Sequence, residues 1–169
     1  MGANGFSVVE HGHIVTLYTP IDIDTLAAAK SPVVCLMRNW SHASIIYSIG
    51  QLPRAAGVVT IESCLDAAAS VATQINFRYY RYETSQKLAN GDVPGALTWT
   101  TTAAAGLIPV ATGAEAVYVI ELEAEELLAN HVGFRMCIAD PAAASVGSAI
   151  AVLSGARFAR GNVSSLAVI

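Results

Sequence analysis

Apolar and polar positions alternate with a period of two along most of this chain, the period of half-buried β-strands. His13–Tyr18, Pro32–Met37 and Ala43–Ile49 read as the first three strands, the last stopped by Gly50 and the turn-forming Pro53. Between the first two, Pro20 to Asp24 reads as extended chain. Val58–Cys64 follows Gly57 and mixes β-branched residues with alternating polar ones. Thr73–Tyr82 carries the strongest alternation, with Ile75, Phe77 and Tyr79 on one face and Asn76, Arg78 and Tyr80 on the other. Turn residues, Asn90-Gly91-Asp92 and then Pro94-Gly95, lead into Leu97–Thr101. Ala116–Leu122, Val132–Ile138 and Ala149–Phe158 complete the set, with Asp140-Pro141 separating the last two. Glu123–Leu128 fits a short helical turn. Two Ala-rich spans, Leu26–Lys30 and Leu65–Ala72, are helix candidates, neither long enough to cover a parallel sheet.

About nine or ten short strands with turn signals between them predict a mainly β chain. The expected fold is an antiparallel β-sandwich or jelly-roll-like domain with at most short helices, rather than a set of βαβ units. No linker, low-complexity block or repeat divides the 169 residues, so a single domain is expected. Within it, 1–30 forms an N-terminal arm plus the first strand, 31–160 the β-sandwich, and 161–169 a C-terminal tail.

Composition changes the picture in one respect. Apolar types make up 54% of the chain and charged types only 13%, against roughly 25% charged in an ordinary soluble domain. Interfaces are depleted in charge at their centres, so a surface this poor in charge is expected to be buried against partners. The net charge of −4 and the lack of a basic tract argue against nucleic-acid binding. A spanning helix needs about 18 or more apolar residues in a row. The richest stretch, Ala142–Leu153, is interrupted by Ser145, Gly147 and Ser148, so no membrane partner is expected. Met1–Phe6 lacks a basic region followed by an apolar core, which predicts synthesis in a cytoplasm. Cys35, Cys64 and Cys137 are odd in number, far apart and set in apolar runs. They read as buried reduced thiols rather than a disulfide framework or a zinc site.

Four groups of residues carry candidate chemistry. His11 and His13 share a strand face and are the metal candidates, with Asp22, Asp24 or His42 as further ligands and Glu10 on the opposite face. A metal site wants three or four ligands and only two stand close together, so no metal and no cofactor are expected. Ser41 and His42 are adjacent and point to opposite faces, which makes them poor nucleophile and base for each other. Glu121, Glu123, Glu125 and Glu126 form an acidic run. Alternation puts Glu121 and Glu123 on one side, as a glycosidase pair would require, but a solvated strand edge running into a short helix is the simpler reading. Tyr79, Tyr80 and Tyr82 beside Arg78 and Arg81 are suited to stacking on sugars or bases, or to a strand with one aromatic core face. Neither a nucleophile elbow nor a phosphate-binding glycine loop is present, and no catalytic residue is assigned. Asn39-Trp40-Ser41 and Asn162-Val163-Ser164 match the glycosylation pattern, which means little without a secretory signal.

Several segments, in order, carry a resemblance: Glu10–Val15, Ser41–Ile46, Phe77–Tyr80, Ala116–Leu122 and Ala149–Phe158. Over about residues 6 to 160 the chain resembles small proteins encoded in the structural-gene regions of tailed bacteriophages, in particular capsid decoration (cement) proteins. The resemblance implies a non-enzymatic virion protein on the capsid surface. It would bind the major capsid protein and other copies of itself, as a homotrimer. A minor tail, baseplate or head-fibre component is the alternative, and a carbohydrate-binding β-sandwich module a second. The closing segment Asn162–Ile169 is mostly uncharged and apolar, a liability in water if left free. The tail or the N-terminal arm is therefore expected to dock on a neighbouring subunit as an added strand, and deleting 161–169 should then impair assembly.

Overall fold

The computed structural model describes residues 8, 12–23, 33–50, 57–83, 95–100, 106–107, 116–139 and 146–156. Within them the chain forms ten strands: β1 (Gly12–Asp22), β2 (Cys35–Leu36), β3 (Trp40–Ile49), β4 (Val59–Cys64), β5 (Ala72–Ile75), β6 (Arg78–Glu83), β7 (Thr98–Trp99), β8 (Ala116–Glu123), β9 (Gly133–Ile138) and β10 (Val146–Ala156). One 3-10 turn, Ala124–Glu126, follows β8 where a helical turn was expected.

The strands build two antiparallel sheets, β1-β10-β3-β8-β6-β7 and β2-β9-β4-β5. With β6 and β7 set aside as a pair added at one edge, eight strands remain, and β8, β9 and β10 become the sixth, seventh and eighth. The sheets then read 1-8-3-6 and 2-7-4-5. This strand order is that of a jelly roll, two Greek keys wrapped into facing sheets. Pro20 lies in β1, at a sheet edge, where a missing N–H is tolerated.

Alternation decides what fills the space between the sheets. Val15, Leu17, Ile45, Tyr47, Tyr118, Ile120, Leu122 and Leu153 point inward from the larger sheet; Val59, Ile61, Ile75, Phe134 and Met136 meet them from the smaller one. Each such side chain contributes about 1.5–3 kcal/mol by leaving water. Tyr47, Tyr118, Tyr79 and Phe77 form a line of rings with successive centroids 6.2, 6.1 and 6.3 Å apart. The Tyr18 hydroxyl donates to the Met136 carbonyl at 2.6 Å and so ties one sheet to the other. Gly133 lets β2 approach β9 closely, since a Cβ there would lie 2.2 Å from the Cys35 carbonyl oxygen.

Two expectations are corrected. Thr73–Tyr82 is not one strand. Ile75 pairs with Ile61 in the smaller sheet, whereas Arg78 pairs with Glu121 in the larger one. The chain changes sheets at Asn76 and Phe77, as strands do at sandwich corners. Thr100 fastens the corner: its hydroxyl accepts from the Phe77 N–H at 3.1 Å, and its own N–H donates to the Phe77 carbonyl at 3.0 Å. The alternation survives the crossing because Phe77 is buried and Asn76 exposed. Nor is Leu65–Ala72 helical. Asp66 Oδ1 accepts from the N–H groups of Ala68 and Ser70, both at 3.0 Å, and Ser70 donates its hydroxyl to the same carboxylate. A side chain that captures these N–H groups removes them from a helix. Ala69 then takes a φ of 52°, and Ala72 opens β5. The Ser70 hydroxyl, followed by backbone donors, holds the Asp66 carboxyl below its ordinary range.

Cys35 and Cys64 are buried free thiols, but Cys137 is partly exposed, contrary to expectation. Leu26–Lys30 and the 161–169 tail lie outside the described residues. Among the described residues no helix is long and apolar enough to cross a membrane.

Candidate functional site on the outer face of the larger sheet

Register places one residue from each strand in rows across the outer face of the six-stranded sheet. One row is Ile14, Val152, Ser44, Glu121, Arg78 and Trp99, from β1, β10, β3, β8, β6 and β7. The next is Thr16, Ile150, Ile46, Val119 and Tyr80. On the other side lie Ser154, His42 and Glu123. Directly opposed side chains on antiparallel strands stand about 4.5–5.5 Å apart at Cβ. Residues distant in sequence are thereby gathered into one cluster.

His42 is its hub. Nε2 lies 2.8 Å from Glu121 Oε2 and 3.9 Å from Glu123 Oε1, and Nδ1 lies 3.1 Å from the Ser154 hydroxyl. A carboxylate oxygen at hydrogen-bond distance requires a proton on Nε2, so in the neutral ring Nδ1 accepts from Ser154. Ser44 donates its hydroxyl to the same Glu121 oxygen at 2.8 Å. Arg78 reaches Glu123 at 3.2 Å, and its guanidinium carbon lies 5.8 Å from the centroid of the Trp99 ring. Arg78 Nε is buried without a hydrogen-bond partner. Ser41 turns away from His42 and donates to the Gly155 carbonyl at 2.9 Å. Gly155 has a φ of +64°, and a Cβ on it would strike the Ser41 hydroxyl. The bend beside Ser154 therefore requires glycine.

His42, Arg78, Tyr80, Leu97 and Glu121 line a cleft of about 220 Å³. Leu97 and Trp99 are exposed, Trp99 at 52%. Ser154, His42 and Glu121 form a relay of hydroxyl, imidazole and carboxylate. However, Ser154 is paired on both sides, with Gly12 of β1 and His42 of β3. The backbone N–H groups around it serve the sheet ladders rather than an oxyanion. The arrangement presents donors, acceptors and an aromatic flank at the cleft.

The acidic run separates by role. Glu121 and Glu123 share the outer face, as alternation required, but β8 lies inside the sheet between β3 and β6 and is not an edge. Glu126 turns back to accept from the Glu123 N–H at 2.7 Å, closing the cap of the 3-10 turn, and Glu125 is exposed. Of the Tyr-Arg group, Tyr79 packs on the core while Tyr80 and Tyr82 share the outer face with Arg78. Arg81 lies opposite Tyr118 in the register and shares the alternation of Tyr79.

His13 stacks on Trp40, with ring centroids 6.1 Å apart and planes 23° from parallel. Asp22 is nine residues farther along β1, roughly 30 Å away at ~3.3 Å per residue. His42 has both nitrogens engaged elsewhere. His11, Glu10 and Asp24 lie outside the described residues, among which no group of three His, Cys, Asp or Glu side chains is arranged to hold a metal. Asn39 lies in the turn before β3, which Trp40 opens, and Asn162 is outside the described residues.

The part played by Ser44 and Ser154, and the exposure of Leu97 and Trp99, left no linear trace, because cross-strand register creates them. His131 was likewise overlooked. Its Nδ1 lies 2.8 Å from the buried Ser63 hydroxyl, which also accepts from the Leu128 N–H at 3.1 Å. This pair holds the turn after Glu126 against β4 and is structural. On the smaller sheet Arg135 meets Glu62 at 2.5 Å. The Cys137 thiol is pushed up to about 12, chiefly by burial and next by Glu62.

The chain matches no protein family model, no curated protein and no solved structure.

Proposed function

We propose that this chain is a structural subunit of a tailed-phage particle, a capsid decoration protein that binds the assembled head and other copies of itself, as a homotrimer. The observation that carries the reading is the outer face of β1, β10 and β3. A solvated sheet face is ordinarily polar. Here Ile14, Val152, Ile150 and Ile46 occupy it side by side, continued by Val119 on β8, while Val146 at the start of β10 is set apart from them by Ser148. Ile14 is 51% exposed and Val146 58%. A contiguous apolar band on a rigid jelly roll marks a surface made to be covered, and jelly rolls are a recurrent architecture of viral capsid domains. The low charge content of the chain agrees.

Cosedimentation of the purified protein with heads lacking it tests the proposal. Saturable binding, at a number of copies set by the lattice, supports a decoration role. Binding to isolated tails alone would support the tail or baseplate alternative, and binding to neither would contradict a virion role.

A further inference from the structure

We infer that the cleft lined by His42, Arg78, Tyr80, Leu97 and Glu121 is a binding site for a neutral sugar ring. It goes beyond the proposed virion role and does not depend on it, since it rests on the other half of the same sheet face.

Size, charge and surface character point to the ligand. The cleft measures about 220 Å³. That is below the ~300 Å³ at which drug-sized pockets begin and on the scale of one monosaccharide. Glu121 and Glu123 place two carboxylates against a single guanidinium, Arg78, with His42 between them. The balance is unfavourable for phosphate or another anion. A vicinal diol suits it, because each hydroxyl both donates and accepts. Glu121 offers acceptors. Arg78, whose side chain is partly exposed, offers guanidinium donors beyond the one held by Glu123. Sugars also present an apolar C–H face. Leu97 and Tyr80 in the cleft, with Trp99 beside it, supply an apolar and aromatic surface for that face. The hydrogen bonds from Ser44 and Ser154 hold Glu121 and His42 in place before a ligand arrives, which lowers the ordering cost of binding.

The test is an NMR titration of the isolated full-length protein with glucose, galactose, mannose and N-acetylglucosamine, and separately with inorganic phosphate. Saturable shifts of the Trp99 indole and His42 ring signals are expected with at least one sugar, with a dissociation constant on the order of 1 mM. Trp99→Ala and Glu121→Gln should each weaken that binding tenfold or more, while the spectrum elsewhere stays folded. The absence of saturable shifts with every sugar would overturn the inference. So would shifts that both variants leave intact, or a response to phosphate alone. Head cosedimentation by Trp99→Ala reports separately on the virion role.

Discussion

Two halves of one sheet face follow the same alternation and carry opposite chemistry. On β1 and β10 the outward positions include Ile14, Ile150 and Val152, bordered by Thr16, Ser148 and Ser154, and Ile46 of β3 and Val119 of β8 extend the apolar band. On β8, β6 and β7 they are Glu121, Glu123, Arg78, Tyr80 and Trp99, joined by His42 and Ser44 from β3. Neither half is needed to fill the space between the sheets, which the inward residues occupy. The apolar half has no internal partners of its own kind to satisfy and is suited to association. The polar half is already wired together around His42 and is suited to recognition. β3 belongs to both, so one strand presents core, apolar outer and polar outer positions through its side chains.

The largest effect should come from crossing between the faces of β3. Ile45 is fully buried, and Ile46, its neighbour in sequence, faces outward. Ile45→Ala should destabilise the fold by about 2–5 kcal/mol, whereas Ile46→Ala should cost less than about 1 kcal/mol. Chemical denaturation of the two variants measures the difference, and equal losses would mean that the outward band is part of the core.

Next in size is a change confined to the apolar half. Ile150→Lys should leave thermal unfolding nearly unchanged and weaken head binding or self-association by tenfold or more, since each aliphatic side chain covered there contributes about 1.5–3 kcal/mol. Cosedimentation and analytical ultracentrifugation read this out. Unchanged association would move the contact surface to the smaller sheet or to the sheet edges.

The polar half should matter little to stability. Arg78 and Glu123 are partly exposed, and such pairs contribute at most about 1 kcal/mol. Arg78→Gln is therefore expected to alter the melting temperature by no more than a few degrees, while removing the guanidinium from Trp99 and changing its fluorescence.

The smallest effect under ordinary conditions concerns the core thiols. Burial pushes Cys35 up to about 12, and a thiol in the unfolded chain ionises near 8.5. Its folded value is raised, so the stabilisation is complete below about pH 8.5 and is lost as pH rises toward about 12. Burial raises Cys137 as much as Cys35, so alkylation at mildly basic pH should be slow at both and should reach the partly exposed Cys137 before Cys35 or Cys64 by access alone.

The two-sheet β fold was legible in the sequence because period-2 alternation survives in most strands, and even at the corner Phe77 keeps its inward place. What escaped the linear reading has physical causes. The break at Asn76 and Phe77 depends on Thr100, over twenty residues away, and the Leu65–Ala72 turn on one carboxylate outcompeting helix formation in an Ala-rich span. In β10 the apolar run hides a division in which small Ala149 and Ala151 face the core while larger Ile150 and Val152 face outward. Composition raised the expectation of a covered surface but said nothing of its place. For the site, alternation predicted that Glu121 and Glu123 share a face, and likewise Arg78 and Tyr80. That Arg78 stands opposite Glu121, with His42 and Ser44 of β3 on the other side of β8 and Ser154 of β10 beyond them, is a product of register, which no single strand encodes.

Cryo-electron microscopy of the virion in which the proposal places this chain tests the central claim most directly. The expected result is jelly-roll density repeated over the shell lattice, with the outer face of β1, β10 and β3 in contact with capsid protein or a neighbouring copy. Absence of the chain from the particle, or its presence with that apolar band open to solvent, would contradict the account.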